Sequence, residues 1–317
     1  MQKRALGRTG LEIAPIVFGG NVLGWTIDEE TSFRVLDAFV DHGFDAIDTA
    51  DCYSAWVPGN KGGESETVIG RWLKARPGLR DRLVIFTKIG MDMGQPGQTG
   101  LSERWIMEGV ENSLSRLGIE RIDLYFSHRF DRETPVEETL RAYDKLVRAG
   151  KIGAIGASNH DADQLGRALQ IARDEGLPAY QVVQPEYNLH DRAGYEGELR
   201  DFCIREGLGV VTYYSLASGF LTGKYRSAED LGKSVRGQGV ARYLTPRGQA
   251  ILDALDRVAR DHSVKPAEVA LAWLIQRKGV TAPIASATSV AQVESFARAA
   301  SLMMNHGDID ALDAAGA

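Results

Sequence analysis

Four polar side chains lie at or just beyond the ends of consecutive short apolar runs, and together they could move a proton. Asp48 and Tyr53 follow one run, Lys88 the next, and His128 the third. A carbonyl that accepts a hydride develops negative charge on its oxygen and needs a proton. A tyrosine can donate it, although its ordinary pKa of about 10 is high for work at pH 7. A lysine nearby would lower that pKa, an aspartate would hold the lysine, and a histidine could orient the carbonyl.

Each of these residues also has a purely structural explanation. Asp48 could cap the next helix, Tyr53 could pack in a loop, and Lys88 could be a solvated strand end. His128 could be a core histidine with its hydrogen bonds satisfied. Four compatible groups at consecutive strand ends favour the chemical interpretation, because the catalytic groups of (β/α)₈ barrels lie at the C-terminal ends of strands.

Eight short apolar runs, most of them rich in Val and Ile, predict strands that are buried on both faces. Helical patterns alternate with them, which predicts parallel βαβ units. The predicted strands are 16–18, 46–48, 83–87, 124–127, 152–157, 182–185, 209–213 and 282–285. The predicted helices are 28–42, 102–117, 136–149, 161–175, 195–206, 246–262, 266–276 and 289–299.

This order of elements favours an α/β fold, a (β/α)₈ TIM barrel, because a closed barrel uses eight parallel strands without leaving an edge. One doubly wound open sheet is the alternative. Residues 4–13 predict an N-terminal β-hairpin that plugs one end of the barrel, and two extra helices precede the eighth strand. No linker or low-complexity tract divides the chain. We therefore expect residues 1–317 to form a single barrel domain.

Composition narrows the classes of partner. A net charge of -6 argues against nucleic acid and anionic membranes, and no apolar segment approaches the roughly 18 residues of a membrane span. Only Cys52 and Cys203 are cysteines, and no apolar stretch typical of a signal peptide follows the first residues. We expect a cytoplasmic protein. Nothing in the sequence indicates an oligomeric state.

Other binding motifs are weak. The glycine-rich run 59–63 lacks the Gly-x-Gly-x-x-Gly pattern and is not expected to open a helix after a strand. The remaining histidines are scattered, at positions 42, 160, 190, 262 and 306, so no metal site is expected. Trp25 and Trp56 fall in predicted loops, where they could pack or form an apolar wall for a substrate.

Several ordered motifs resemble those of the aldo-keto reductase superfamily. They are GFDAIDTADCY at 43–53, FTKIG at 86–90, DLYFSH at 123–128, GASN at 156–159 and LASGFLTGKY at 216–225. The resemblance runs from the first hairpin to the helix after the eighth strand. Within the superfamily, the chain resembles the bacterial general aldo/keto reductases related to potassium-channel β subunits.

The resemblance implies a role for each matching residue. Tyr53 would be the proton donor in reduction, Lys88 and Asp48 would tune it, and His128 would orient the carbonyl. The implied cofactor-binding residues are Ser158, Asn159 and Gln184 at the nicotinamide carboxamide, Tyr213 with Tyr214 at the nicotinamide ring, the adjoining Ser215, then Leu216, Ser218, Gly219 and Lys224 along the pyrophosphate, and Ser286, Ala287, Thr288, Ser289 and Gln292 at the adenosine end.

One departure from the family pattern concerns the choice of cofactor. Members that prefer NADP often carry Arg or Lys in or after the last segment, but residues 286–289 and Gln292 are neutral, and Ser295-Phe296 replaces the usual Glu-Asn pair. A 2′-phosphate normally binds a cation, although hydroxyls and the first amides of a helix beginning at Ser289 could hold it. NADP(H) is favoured, with NAD(H) as the alternative.

The resemblance implies an NAD(P)-dependent enzyme that interconverts a small-molecule carbonyl (an aldehyde, ketone or sugar) and its alcohol. The alternatives are an NAD-dependent sugar or alcohol dehydrogenase, and a cofactor-binding redox-sensing subunit with little turnover. The motifs after strands seven and eight disfavour a barrel without cofactor. Substrate and preferred direction stay open, because specificity lies in the long loops 52–63 and 224–245.

Overall fold

Ten strands build a hairpin and a closed barrel. The computed structural model describes all 317 residues. The strands are β1 (Arg4–Ala5), β2 (Glu12–Ile13), β3 (Val17–Gly19), β4 (Ala46–Asp48), β5 (Val84–Ile89), β6 (Ile122–Ser127), β7 (Ile152–Ser158), β8 (Val182–Gln184), β9 (Gly209–Thr212) and β10 (Ala282–Ala285). Strands β3 to β10 pair in parallel in chain order, and β10 pairs with β3 to close the ring. The predicted (β/α)₈ barrel is confirmed, and the open sheet is excluded because no barrel strand has a free edge.

Helices surround the barrel and cover the outer faces of its strands. They are α1 (Glu29–Asp41), α2 (Glu64–Lys74), α3 (Glu103–Leu117), α4 (Val136–Arg148), α5 (Ala162–Glu175), α6 (Glu198–Glu206), α7 (Pro246–Asp261), α8 (Pro266–Ile275), α9 (Val290–Ser301) and α10 (His306–Ala315). Helices α7 and α8 both precede β10, as predicted. None of the helices combines the length and the apolar character needed to cross a lipid bilayer.

The β1–β2 hairpin closes the amino-terminal end of the barrel. Leu6 and Ile13 are fully buried against the side chains that fill the barrel interior. Gly7 has φ of 59°, and a β-carbon there would overlap the Gln181 carbonyl oxygen. Only glycine fits this close approach without strain. The plug leaves the carboxyl end of the barrel as the end at which a ligand can enter.

Two helices were not predicted, and one sequence interpretation was wrong. Gly63, with φ of 83°, is the N-cap of α2, so the glycine run 59–63 does open a helix. The apolar spacing of Val68, Ile69 and Trp72 marks the buried face of α2 and was the available signal. Helix α10 is short and weakly patterned. The helix predicted from residue 195 begins instead at Glu198, because Gly197 has φ of 87°.

Candidate active site

The predicted catalytic and nicotinamide-binding residues gather at the carboxyl end of the barrel. Parallel strands end at the same rim, so polar residues at successive strand ends become neighbours in space. Asp48 ends β4, Tyr53 follows it, Lys88 lies in β5, His128 follows β6, Ser158 ends β7, Asn159 follows it, Gln184 ends β8, and Tyr213 follows β9.

Lys88 is the centre of the predicted catalytic group. Its Nζ donates to Asp48 Oδ2 at 2.6 Å, to the Thr49 carbonyl oxygen at 2.8 Å and to Tyr53 Oη at 2.9 Å. The residue is fully buried, not a solvated strand end. An ammonium has three protons, and three acceptors surround this one. The lysine is therefore fixed in one orientation, with its charge beside the Tyr53 phenol.

The pKa of the Tyr53 phenol is raised. Burial, followed by the Asp48 carboxylate, holds the pKa of Tyr53 well above its ordinary value. The expectation that Lys88 would lower this pKa is not met, because desolvation and the Asp48 carboxylate oppose the charged phenolate. Tyr53 therefore remains a phenol, with its hydroxyl beside the Lys88 ammonium.

His128 is a neutral imidazole next to Tyr53. Burial, with the Lys88 and Arg129 charges, holds the pKa of His128 well below its ordinary value. Its ring centroid lies 6.1 Å from that of Tyr53, in an edge-to-face arrangement. The Asn159 amide nitrogen donates to the His128 carbonyl oxygen at 2.9 Å. A neutral imidazole has one N–H donor, which suits a group that orients a carbonyl.

Gln184 connects the catalytic group to the far side of the barrel. Its Nε2 donates to Asp48 Oδ1 at 2.9 Å, and both residues are buried. Sequence reasoning assigned Gln184 to the cofactor and missed this bond, because nothing in the motif indicates which strand ends face each other. Asp48 is therefore held by Lys88 on one oxygen and by Gln184 on the other.

Hydrogen bonds link the remaining residues that were predicted to bind nicotinamide. Ser158 Oγ donates to the Gln184 carbonyl oxygen at 2.9 Å, and Asn159 Nδ2 donates to Ser158 Oγ at 3.1 Å. Tyr213 Oη donates to Asn159 Oδ1 at 2.7 Å. Asn159 has φ of 55°, an uncommon conformation that clusters at functional sites. These contacts form a continuous polar ledge along the ends of β7, β8 and β9.

The segment after β9 has an unusual backbone. Tyr214, Ala217 and Ser218 have φ of 53°, 48° and 57°, and Gly219 has φ of 96°. Consecutive turns of this kind direct successive N–H groups into a concavity suited to anions. Leu216, which begins the turn at Ala217–Thr222, is partly buried.

Three side chains around this segment differ in what they face. Tyr214 is 46% exposed, and its ring centroid lies 5.2 Å from that of Tyr213. Lys224 is exposed and lies 5.0 Å over the Tyr225 ring. Ser215 is buried, and its Oγ donates to the Thr212 carbonyl oxygen at 3.0 Å. The Ser215 side chain thus serves the turn itself.

The segment after β10 is neutral and already hydrogen-bonded. Ser286 Oγ donates to Asn21 Oδ1 at 2.7 Å, and the Thr288 N–H donates to Gln292 Oε1 at 2.8 Å. Ala287 is fully buried, so only its backbone could reach a ligand. Ser289 is the N-cap of α9 and makes no side-chain capping bond. The first amides of α9 therefore remain without a side-chain cap.

Arg236 is a candidate functional residue that sequence reasoning missed. Its guanidinium lies 5.0 Å over the Trp25 ring, and its buried Nη2 has no hydrogen-bond partner. Burial lowers the pKa of Arg236, while the nearby Tyr214, Tyr53 and Tyr225 oppose that shift. An arginine within the long loop 224–245 carries no motif, so only the folded loop could reveal it.

Trp25 and Trp56 lie beside Tyr53. Their rings meet edge to face with centroids 5.3 Å apart, and the Trp56 ring lies 6.2 Å from Tyr53. Trp56 is 49% exposed. The exposure of Trp56 fits the predicted apolar wall, whereas Trp25 is partly buried, with Arg236 over its ring.

The structure also groups three potential metal ligands, which the scattered histidines did not predict. Each of the residues Asp51, Cys52 and His128 offers one donor atom, and these three atoms lie within 4.8 Å of one another. The histidine positions could not indicate this group, because Asp51 and Cys52 follow β4 whereas His128 follows β6. Burial and the charge of Glu66 raise the pKa of Asp51 to about 8.

Comparisons with known proteins agree with this architecture. The model of the Aldo/keto reductase family matches residues 15–317. The chain is 32% identical to an uncharacterized oxidoreductase, YrpG, of Bacillus subtilis, over 96% of this chain and 93% of that protein. It is 33% identical to a putative voltage-gated potassium channel subunit beta of Schizosaccharomyces pombe, over 92% and 85%. It is 31% identical to L-glyceraldehyde 3-phosphate reductase of Escherichia coli, over 94% and 87%. The chain belongs to the aldo/keto reductase family, a family of oxidoreductases that interconvert carbonyls and alcohols.

Proposed function

We propose that this protein is an NAD(P)-dependent reductase of small-molecule carbonyls, with Tyr53 as the proton donor and the whole chain acting as one barrel domain. The observation that carries the proposal is the triple bonding of Lys88, which joins Asp48, Thr49 and the Tyr53 hydroxyl in one buried group. The reverse reaction, oxidation of an alcohol, would use the same residues. The ratio of reduced to oxidised cofactor would then set the direction.

The proton comes from Tyr53. As a substrate carbonyl becomes an alkoxide-like oxygen, the Tyr53 O–H transfers its proton to that oxygen, and the phenol becomes a phenolate. The buried Lys88 ammonium, 2.9 Å from Oη, stabilises this phenolate. A general acid placed in this way contributes typically about 10²–10⁴-fold in rate.

Asp48 and Gln184 are proposed to hold Lys88 in position. A buried lysine loses its hydration and tends to lose its proton unless an anion compensates. Asp48 supplies that anion at 2.6 Å, and Gln184 fixes the second carboxylate oxygen. The pair keeps the Lys88 Nζ aimed at the tyrosine.

His128 is proposed to orient the substrate. It is neutral and lies beside Tyr53, so it can donate one hydrogen bond to the same carbonyl oxygen without competing for the proton. The Trp25–Trp56 pair would cover the apolar part of the substrate.

The residues of the rim fit a nicotinamide dinucleotide. When bound, the cofactor supplies the hydride. The orphaned Arg236 guanidinium and Lys224, both near Tyr225, supply the positive charge that a pyrophosphate needs. The left-handed turn at 217–219 adds backbone donors. Ser158, Asn159 and Tyr213 form the polar and aromatic ledge for the nicotinamide.

NADP(H) is the cofactor we favour, by a modest margin. The adenosine end offers the Ser286, Thr288 and Ser289 hydroxyls and the uncapped amides of α9, but no cation within residues 286–292. Helix N-termini bind phosphate without a cation. NAD(H) remains the alternative.

One relative suggests where to begin a substrate search. The Escherichia coli relative is named for reduction of L-glyceraldehyde 3-phosphate, so phosphorylated and unphosphorylated short aldehydes belong in the panel. The decisive experiment titrates the protein with NADPH and NADH by fluorescence and then screens aldehydes, ketones and sugars with the tighter-binding cofactor. Turnover on at least one carbonyl supports the proposal. Tight binding without turnover on any member of the panel contradicts it.

A regulatory subunit is the competing proposal. Relatives named as potassium channel subunits match over most of this chain. Such a role predicts tight cofactor binding with slow single turnover and no multiple turnover. The same screen separates the two functions.

A further inference from the structure

We propose that Asp51, Cys52 and His128 form a binding site for one zinc-class divalent ion. The three residues supply a carboxylate, a thiol and an imidazole whose donor atoms lie within 4.8 Å of one another. Thiolate and imidazole ligands select zinc-class ions, whereas magnesium and calcium prefer oxygen ligands. The site uses Nδ1 of His128, which leaves Nε2 to carry the ring proton.

The separation between Cys52 and His128 suits such an ion. The Cys52 sulfur lies 3.7 Å from His128 Nδ1. In a tetrahedral site with Zn–S of about 2.3 Å and Zn–N of about 2.0 Å, the sulfur and nitrogen are about 3.5 Å apart. The two side chains therefore stand close to the required separation without rearrangement of the backbone.

Asp51 gives a second and independent indication. Both oxygens of its carboxyl group are buried and have no hydrogen-bond partner, and the residue is 2% exposed. A buried polar group without partners costs about 1–3 kcal/mol. Glu66 adds negative charge nearby, while Lys88 and Arg116 add positive charge. A bound cation would give the Asp51 oxygens the partner that the protein does not.

Coordination involves ligand exchange and no redox change. The Cys52 thiol and the Asp51 carboxyl each lose a proton to solvent as their bonds to the metal form, and the neutral His128 ring donates an electron pair through Nδ1. A water molecule completes a tetrahedral set, as is usual for sites with three protein ligands.

Cobalt(II) is the probe that tests the site. The full chain, stripped of metal with a chelator, is titrated with Co²⁺, and the cobalt–thiolate charge-transfer absorption is followed; Zn²⁺ is then added to displace the cobalt. We expect one equivalent per chain in the unaltered protein. Cys203→Ser is the matched control, since Cys203 is the other buried free cysteine, and it should keep the absorption.

Two variants remove ligands separately. Cys52→Ser should abolish the thiolate absorption, and Asp51→Asn should weaken binding by more than about tenfold, because loss of even outer-shell partners costs metal affinity 10–100-fold. If Cys52→Ser does not fold, Asp51→Asn carries the test. Absence of thiolate absorption in the unaltered protein, or unchanged binding in a folded Asp51→Asn, would overturn the proposal. Because the readout needs neither cofactor nor turnover, its outcome is separate from that of the proposed reaction.

Discussion

The side-chain amide of Gln184 donates to Asp48 Oδ1 across 2.9 Å, although β8 and β4 lie on opposite sides of the barrel. The other Asp48 oxygen accepts from Lys88. The Asp48 carboxylate is thus bonded to a neutral donor on one oxygen and to a cation on the other. These two bonds fix the position of the Lys88 ammonium next to the Tyr53 hydroxyl. Small changes at Gln184 should therefore reach the catalytic group.

Replacing Gln184 with Leu should lower turnover at least tenfold and weaken cofactor binding. It leaves a buried carboxylate oxygen without a donor, so we also expect a loss of about 1–3 kcal/mol in the free energy of unfolding. Steady-state kinetics, a cofactor titration and denaturant unfolding measure the three effects. Gln181→Leu is the control, because Gln181 lies just before the same strand, at its amino end, and should change none of them. A folded Gln184→Leu variant with normal turnover would remove Gln184 from the account.

Lys88→Met should reduce kcat at least tenfold, because the phenolate left by proton donation loses its neighbouring cation. A rise of one unit in the pKa of Tyr53 corresponds to about 1.4 kcal/mol, which is a factor of ten in rate. The substitution also leaves the buried Asp48 carboxylate without its cation, which lowers the free energy of unfolding by about 3–5 kcal/mol. The double variant Lys88→Met/Asp48→Asn removes both charges. It should recover much of the stability without recovering turnover. Recovery of both quantities in the double variant would mean that Lys88 serves the fold alone.

Much of this site could be predicted from the sequence, because polar residues at the ends of consecutive apolar runs must share one rim of a parallel barrel. This rule identified Asp48, Tyr53, Lys88 and His128. The Gln184–Asp48 bond could not be predicted, because it depends on which strands face each other across the closed ring. Arg236 was equally hidden, since its position depends on the fold of a long loop.

Two features within single segments also differ from what the sequence pattern predicts. Helix α2 was missed because the glycines before it were interpreted as a loop, although its apolar face was present in the pattern. Lys88 was placed at a strand end, but β5 continues to Ile89 and buries it.

Arg236→Met should weaken NADPH binding at least tenfold with a smaller effect on kcat, because an orphaned guanidinium is expected to contact a cofactor phosphate. The matched control is Arg226→Met in the same loop, where the guanidinium already pairs with Asp256 at 2.8 Å. Fluorescence titration of both variants gives the dissociation constants. Equal affinity in the Arg236 variant and the unaltered protein would place the phosphates elsewhere.

NADPH should bind more tightly than NADH by about tenfold, or about 1.4 kcal/mol. The margin is small because hydroxyls and helix amides replace a cation at the adenosine end. Gln292→Arg adds a cation in the first turn of α9 and should widen the preference. Dissociation constants that are equal or favour NADH would reverse the assignment of cofactor and leave the proposed acid untouched.

Tyr53→Phe tests the central claim most directly. The substitution keeps the ring against Trp56 and removes only the hydroxyl that bonds to Lys88. If Tyr53 were only a packing residue, its loss would change stability by about 1 kcal/mol and leave the rate nearly intact. Melting temperature and NADPH affinity, measured on the same sample, show that the variant is folded and loaded.

The measurement is kcat for the best carbonyl substrate, compared between the unaltered protein and Tyr53→Phe at saturating cofactor. We predict a fall of roughly 10²–10⁴-fold, the range expected for loss of a general acid, with NADPH affinity little changed. A folded Tyr53→Phe variant that binds NADPH normally and turns over at a near-normal rate would contradict the assignment of Tyr53 as the proton donor.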